Sequence, residues 1–134
     1  MKDCIFCKIA AGELPASVVY EDNQVVAFLD IHPLRPGHTL VIPKVHDPDL
    51  HHLDDGTFDA VTRASKRVAG MIERTLSPKR VGFQVAGWDV PHAHVHVVPM
   101  EDSLDLTSNL ILTGKRGSPD AEELEKVRVK LALG

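Results

Sequence analysis

Apolar and polar positions fall in short runs through the first third of the chain and switch to a helical period near its middle. Cys4 to about Ala11 reads as a short helix, with Gly12 placed to stop it. Val18-Val19-Tyr20 and Gln24 to Leu29 read as two strands around the turn Glu21-Asp22-Asn23. Pro33, Pro36 and Gly37 punctuate a loop. Thr39-Leu40-Val41-Ile42 is an apolar, largely β-branched strand closed by Pro43. From about Gly56 to Leu76, the apolar residues Phe58, Val61, Val68, Ile72 and Leu76 recur at helical spacing, which predicts one long amphipathic helix. Arg80 to Val85 and His92 to Val98 are the last two strands. Ser118-Pro119-Asp120 reads as a cap, a first-turn proline and an acid, opening a C-terminal helix over about 119–132 with Glu122 and Glu123 near its positive end. The stretch from Glu101 to Gly117 has no readable period and is expected to be loop. The order of elements predicts an α+β chain.

Composition narrows the class. The chain has 134 residues, which fits one domain, 1–134, with a real core. It is 43% hydrophobic and 25% charged, as in an ordinary globular protein. The formal net charge is -4 and the pI about 6.0, so there is no bulk basic surface for tracking nucleic acid. A small phosphorylated ligand is still compatible with one positively polarised pocket. No apolar run follows Met1-Lys2-Asp3-Cys4 as in a signal peptide, and none approaches the ~18 residues of a membrane span. The expectation is a cytoplasmic protein with no membrane partner. In that reducing compartment its two cysteines are not expected to form a structural disulfide.

The strongest chemical signal is the row His92, His94, His96 in Val90-Pro91-His92-Ala93-His94-Val95-His96-Val97-Val98-Pro99. Side chains alternate along a strand, so three imidazoles are expected on one face, roughly 6 to 7 Å apart. Imidazole serves near neutral pH as nucleophile, proton carrier or metal ligand. The run is internal and interleaved with valines, unlike a tag. The middle ring, His94, is the natural nucleophile, because it has neighbours on both sides to hold and aim it. Phosphorus suits such a nucleophile, since the nucleotidyl-histidine adduct is readily taken over by water. No Gly-x-Ser-x-Gly run supplies a serine elbow. Cys4-x-x-Cys7, taken by itself, is compatible with two reduced core thiols, a redox dithiol at a helix start or half of a metal site.

These residues resemble the histidine triad (HIT) family, whose signature is His-φ-His-φ-His-φ-φ, where φ is apolar. The likeness continues upstream: Cys4 to Ile9, Gly12-Glu13-Leu14-Pro15, Tyr20-Glu21-Asp22, Ala27 to Ile31, and Gly37 to Lys44 with His46. It covers about residues 4–99. It implies a HIT-like fold: a five-stranded antiparallel sheet with one long helix and short flanking helices, commonly in a symmetric homodimer with that helix in the interface. It implies a nucleotide hydrolase or transferase of the Hint-like branch, acting on purine nucleoside phosphoramidates or adenylated compounds. His94 would be the nucleophile, and His96 would contact the phosphate. His38 would hold His94 in its tautomer. Asp30 would accept hydrogen bonds from the ribose. Ile5, Phe6, Ile9, Leu14, Phe28 and Ile31 would form the purine slot, although without the resemblance they read as ordinary core. Members with both cysteines resemble this chain in holding structural zinc with Cys4, Cys7, His46 and His92. No organic cofactor is implied. His32, His51 and His52 match no motif and are expected to face solvent.

The segment before the triad departs from the pattern. Many relatives have glutamine and then serine or threonine where this chain has Trp88 and Asp89. A hydroxyl there can bond the phosphate, whereas an inward carboxylate repels it. Asp89 is therefore read as nucleotide-binding through the backbone N–H groups near it and Gly87. The alternatives carried by the sequence are a dinucleoside polyphosphate hydrolase and a low-turnover nucleotide-binding or interaction protein.

Overall fold

The computed structural model describes residues 3–106 and 117–133. Helix α1 spans Ile5–Ala10; Cys4 is its N-cap, its Sγ accepting the Cys7 N–H at 3.4 Å. Gly12, at φ +77°, takes the chain out of the helix in the left-handed region where a side chain is strained. Strands β1 (Val18–Glu21) and β2 (Val25–Leu29) follow. Asp22 shapes the turn between them, its Oδ1 accepting the N–H groups of Gln24 and Val25 at 2.8 and 2.9 Å. Strand β3 is Thr39–Pro43, and a short 3-10 turn covers Leu50–His52. Helix α2 runs from Asp55 to Leu76, capped by Asp54, whose Oδ1 accepts the Thr57 N–H at 2.8 Å. Strands β4 (Arg80–Gln84) and β5 (Val95–Met100) and helix α3 (Ala121–Leu133) complete the order.

The five strands form one sheet in the order β1-β2-β3-β5-β4, with every neighbouring pair antiparallel. This is the expected α+β architecture of a five-stranded antiparallel sheet with one long helix. Side-chain alternation divides the strands between two faces. Val25, Ala27, Leu29, Val41, Val95 and Val97 point to the face covered by α2, where Val61, Val68 and Ile72 are fully buried and Leu131 of α3 joins them. Val26, Phe28, Leu40 and Ile42 point to the opposite face and pack with Cys4 and Phe6 of the α1 end. The histidines belong to this second face.

The structure corrects two expected boundaries. The last strand begins at Val95, not at His92. Its ladder to β3 starts at Val41 opposite Val95, and continuing it would set Pro43 opposite Ala93. Pro43 has no N–H to give. The backbone instead turns, with His92 N–H donating to Val90 O at 2.8 Å and Ala93 N–H to Asp47 O at 2.6 Å. His92 and His94 therefore stand on a bend, and only His96 is in a strand. The C-terminal helix is capped by Asp120 rather than Ser118. Asp120 Oδ1 accepts the Glu123 N–H at 2.8 Å, and Glu123 Oε1 accepts the Asp120 N–H at 3.4 Å. This reciprocal pair places Pro119 just outside the helix. Of the expected Glu101–Gly117 loop, 101–106 form bends and turns, and 107–116 lie outside the described residues.

Candidate functional site

The bend before β5 gives each triad histidine a different neighbourhood. His92 is completely buried. Its Nε2–H donates to the Pro43 carbonyl at 2.8 Å, which leaves the Nδ1 lone pair facing Cys4 Sγ at 3.4 Å and Cys7 Sγ at 3.5 Å. Burial holds this ring below the ordinary histidine pKa, so it stays neutral. His46 Nδ1 lies 3.3 Å from Cys7 Sγ. One donor atom from each of Cys4, Cys7, His46 and His92 falls within 4.8 Å of the others. A tetrahedral ion with Zn–S of about 2.3 Å and Zn–N of about 2.05 Å needs S···N edges of about 3.6 Å. The recorded S···N separations of 3.3 to 3.5 Å come close to those edges. The four residues thus fit zinc in chemistry and spacing. Burial, then the bond to Cys4, raises the Cys7 thiol, so without a cation it holds its proton.

His94 is 4% exposed. Its Nδ1–H donates to the His92 carbonyl at 2.7 Å, which fixes the tautomer with a bare Nε2. The Phe6 ring meets it edge-on at 5.2 Å between centroids, and Phe6 in turn packs on Phe28 at 5.4 Å. His38 sits elsewhere than expected. Its partner is His96, with His38 Nε2 to His96 Nδ1 at 2.9 Å, and the carbonyl of His92 does the work on His94.

The direction of the His38–His96 bond follows from the backbone. Leu34 N–H donates to His38 Nδ1 at 3.0 Å, so that nitrogen carries no proton. His38 Nε2–H is then the donor, His96 Nδ1 the acceptor, and the proton of neutral His96 sits on Nε2. Asp30 Oδ2 lies 3.6 Å from His38 Nε2, and its Oδ1 accepts the His32 N–H at 2.8 Å. Asp30, His38 and His96 also cluster closely enough for a metal. However, the 5.1 Å between the two ring centroids holds little more than the rings and the 2.9 Å gap. Their nitrogens point at each other, not at a shared third point, so this cluster is a hydrogen-bonded relay.

Two cavities meet at these rings. The first, of about 260 Å³, is walled by Ile5, Phe6, Ile9, Phe28, Ile31 and Leu40, with Asp30 at one side. The second, of about 160 Å³, has Gln84, Gly87, Trp88, Leu34 and His38 in its wall. Asp89, His94 and His96 line both. A larger cleft of about 1000 Å³ runs between α2 and β1, and no histidine or cysteine among the described residues lines it.

A model of the HIT domain matches residues 11–103. The chain belongs to the HIT family. An uncharacterised HIT-like protein of Borreliella burgdorferi is 45% identical over 106 residues, covering 74% of this chain and 76% of that one. An adenosine 5'-monophosphoramidase of Saccharomyces cerevisiae is 34% identical over 129 residues, 96% of this chain and 80% of that one. In structure, the chain resembles a Zn-bound histidine triad family protein of Mycobacterium smegmatis, with a TM-score of 0.78 and 33% identity over 98% of this chain and 95% of that one.

The histidine cluster is consistent with a HIT-type catalytic site, and membership supports enzymatic activity. The structure brings together His94, His96, His38, Asp30, Ile31, Phe28, Ile5, Phe6, Ile9 and Asp89 around the two cavities, and Cys4, Cys7, His46 and His92 beside them. Leu14 lies in the α1–β1 connection, 39% exposed and outside the lining of either cavity. His32, His51 and His52 are exposed, as expected. Sequence reasoning missed Leu34, whose role is that of a backbone donor and leaves no side-chain signal. It also missed the Arg35–Asp105 pair. Arg35 Nε and Nη2 donate to the Asp105 carboxylate at 2.6 and 3.0 Å, tying the turn after β5 to the loop that carries His38. Among described residues no helix is long and apolar enough to cross a membrane.

Proposed function

We infer that the protein hydrolyses purine nucleoside phosphoramidates or related adenylated compounds through a nucleotidyl-histidine intermediate on His94, as a member of the Hint-like branch. The observation that carries this is the fixed tautomer: with Nδ1–H held by the His92 carbonyl, the bare Nε2 belongs to a ring that lines both cavities. The adenosine 5'-monophosphoramidase likeness supports the substrate class. In the reading, the purine enters the apolar cavity and Asp30 accepts from the ribose. The phosphorus lies at the junction that Asp89, His94 and His96 share.

The first step forms the His94 Nε2–P bond and breaks the P–N bond of a nitrogen-protonated phosphoramidate. The amine leaves neutral, and its positive charge passes to the His94 ring. In the second step water attacks phosphorus, the Nε2–P bond breaks, and a nucleoside monophosphate and one proton are released. The His96 Nε2–H suits a nonbridging phosphate oxygen, where charge builds in both steps. Leu34 and His38 keep that proton on Nε2 by relaying a hydrogen bond to His96 Nδ1.

Cys4, Cys7, His46 and His92 would hold zinc, and the Zn-bound Mycobacterium smegmatis relative supports this choice of metal. Bound there, the ion supplies a closed structural tie between α1 and the bend before β5. The same reading takes residues 1–134 as one domain of a cytoplasmic homodimer with α2 in its interface, and sedimentation of a monomer at micromolar concentration would remove the dimer. The activity is tested by incubation with an adenosine phosphoramidate. Release of AMP by the wild type and none by His94→Ala is the expected result. Equal release by both would exclude His94 from the chemistry, and nucleotide binding without release would make the protein a binding module.

A further inference from the structure

The acidic residue Asp89 lines the junction between the two cavities, where the hydrolase reading places the phosphate. Asp89 is exposed and lines both cavities beside His94 and His96. Its neighbour Trp88 lines the second cavity and is 89% exposed, the most open large apolar side chain among those described. No lysine or arginine lines either cavity among the described residues. A bound nucleotide therefore brings a negative phosphoryl group close to an acidic residue, with no lysine or arginine among the described residues lining the space to offset the repulsion. The apolar cavity accounts for the nucleoside. The second cavity, with Trp88 and Asp89 in its wall, remains for the group displaced from phosphorus. An open indole face beside a carboxylate is a pairing that attracts alkylammonium ions, through the ring's negative face and through charge.

We propose that this site selects substrates whose displaced group carries a positive charge, an alkylammonium held between the Asp89 carboxylate and the Trp88 indole. This rests on the hydrolase reading above and names its leaving-group class. A cation there lies against Asp89, Trp88 and the phosphoryl anion at once, so it converts the repulsion at the junction into attraction. A neutral leaving group leaves the repulsion in place, and an anionic one adds to it.

The test uses three adenosine 5'-phosphoramidates built on one alkyl amine. Their far ends are a trimethylammonium, its uncharged tert-butyl isostere, and a carboxylate. The trimethylammonium compound is expected to show the highest kcat/KM, above the isostere by about tenfold or more, with the carboxylate compound lowest. Asp89→Asn brings the three towards parity, lowering turnover of the cationic compound and raising that of the other two. Trp88→Ala reduces the preference for trimethylammonium by a few-fold. Added salt shrinks the differences in the wild type. Hydrolysis of all three at equal kcat/KM, or a preference that survives Asp89→Asn, overturns the inference and leaves the hydrolase reading standing. Hydrolysis of none of them overturns both together.

Discussion

Asp105→Asn is the perturbation whose size follows most directly from the structure. The carboxylate accepts from Arg35 Nε and Nη2, and its Oδ2 also accepts the N–H groups of Glu101 and Asp102 at 2.8 and 3.0 Å. Its side chain is only 4% exposed. The Arg35 bond, with the two backbone donors, holds the Asp105 pKa down from the ordinary 3.8 to about 2. A depression of that size is worth about 2 kcal/mol at neutral pH, nearer 1 if solvent around the one-third-exposed Arg35 screens the pair. Because the folded-state pKa is depressed, the contribution is complete above the unfolded value. It fades as pH falls through about 4 towards 2, with roughly half left at pH 3. Urea unfolding of wild type and Asp105→Asn at pH 7, 5, 4 and 3 reads it. The gap should be about 1–2 kcal/mol at pH 7 and 5 and should narrow at pH 3. A gap that is absent at pH 7, or that stays constant down to pH 3, would refute the assignment. The same pair braces the loop in which Leu34 N–H meets His38, so the variant should also lower kcat more than it raises KM.

Other perturbations separate the parts of the site. His38→Ala removes the donor to His96 Nδ1 and should lower kcat by about a hundredfold with little change in nucleotide affinity. Nitrogen chemical shifts of His96 should then lose the single Nε2–H tautomer, and an unchanged tautomer would count against the relay. Phe6→Ala removes a 6%-exposed ring that packs on Phe28 and His94, and should cost about 3–5 kcal/mol in chemical unfolding. A loss under about 1 kcal/mol would mean that the ring is not part of the packed face. Native mass spectrometry should show one zinc on the wild type and none on Cys4→Ser, with zinc affinity weakened by more than about tenfold. Wild-type protein that stays metal-free after incubation with zinc would end the zinc assignment.

Much of this molecule was legible because short-range physics dominates it. The β-branched runs of β2 and β3 and the helical spacing of Val61, Val68 and Ile72 gave both elements and faces. Asp54 at the start of α2 and Gly12 after α1 act through local backbone chemistry. The misplaced start of β5 came from a long-range fact: the strand it pairs with ends in Pro43, whose missing N–H stops the ladder and whose carbonyl takes the His92 ring. Alternation along the sequence put three histidines in one row, but the bend before β5 gave them three different sets of partners. His38 was visible as a histidine near a glycine turn, yet its partner is set by where Leu34 N–H points, and a backbone donor has no signature. Arg35 and Asp105 lie 70 positions apart, one of them in a stretch without period, so nothing local announces the pair. The Cys–His cluster needed the fold to bring residues 88 positions apart into contact.

The most direct measurement is the intact mass of His96→Ala, quenched shortly after mixing with an adenosine phosphoramidate and mapped by peptide fragmentation. A single added nucleoside monophosphate on the peptide containing His94, absent when His94 is also replaced by alanine, is the predicted result. AMP released at full rate with no adduct at any time, or an adduct on another residue, would contradict the account.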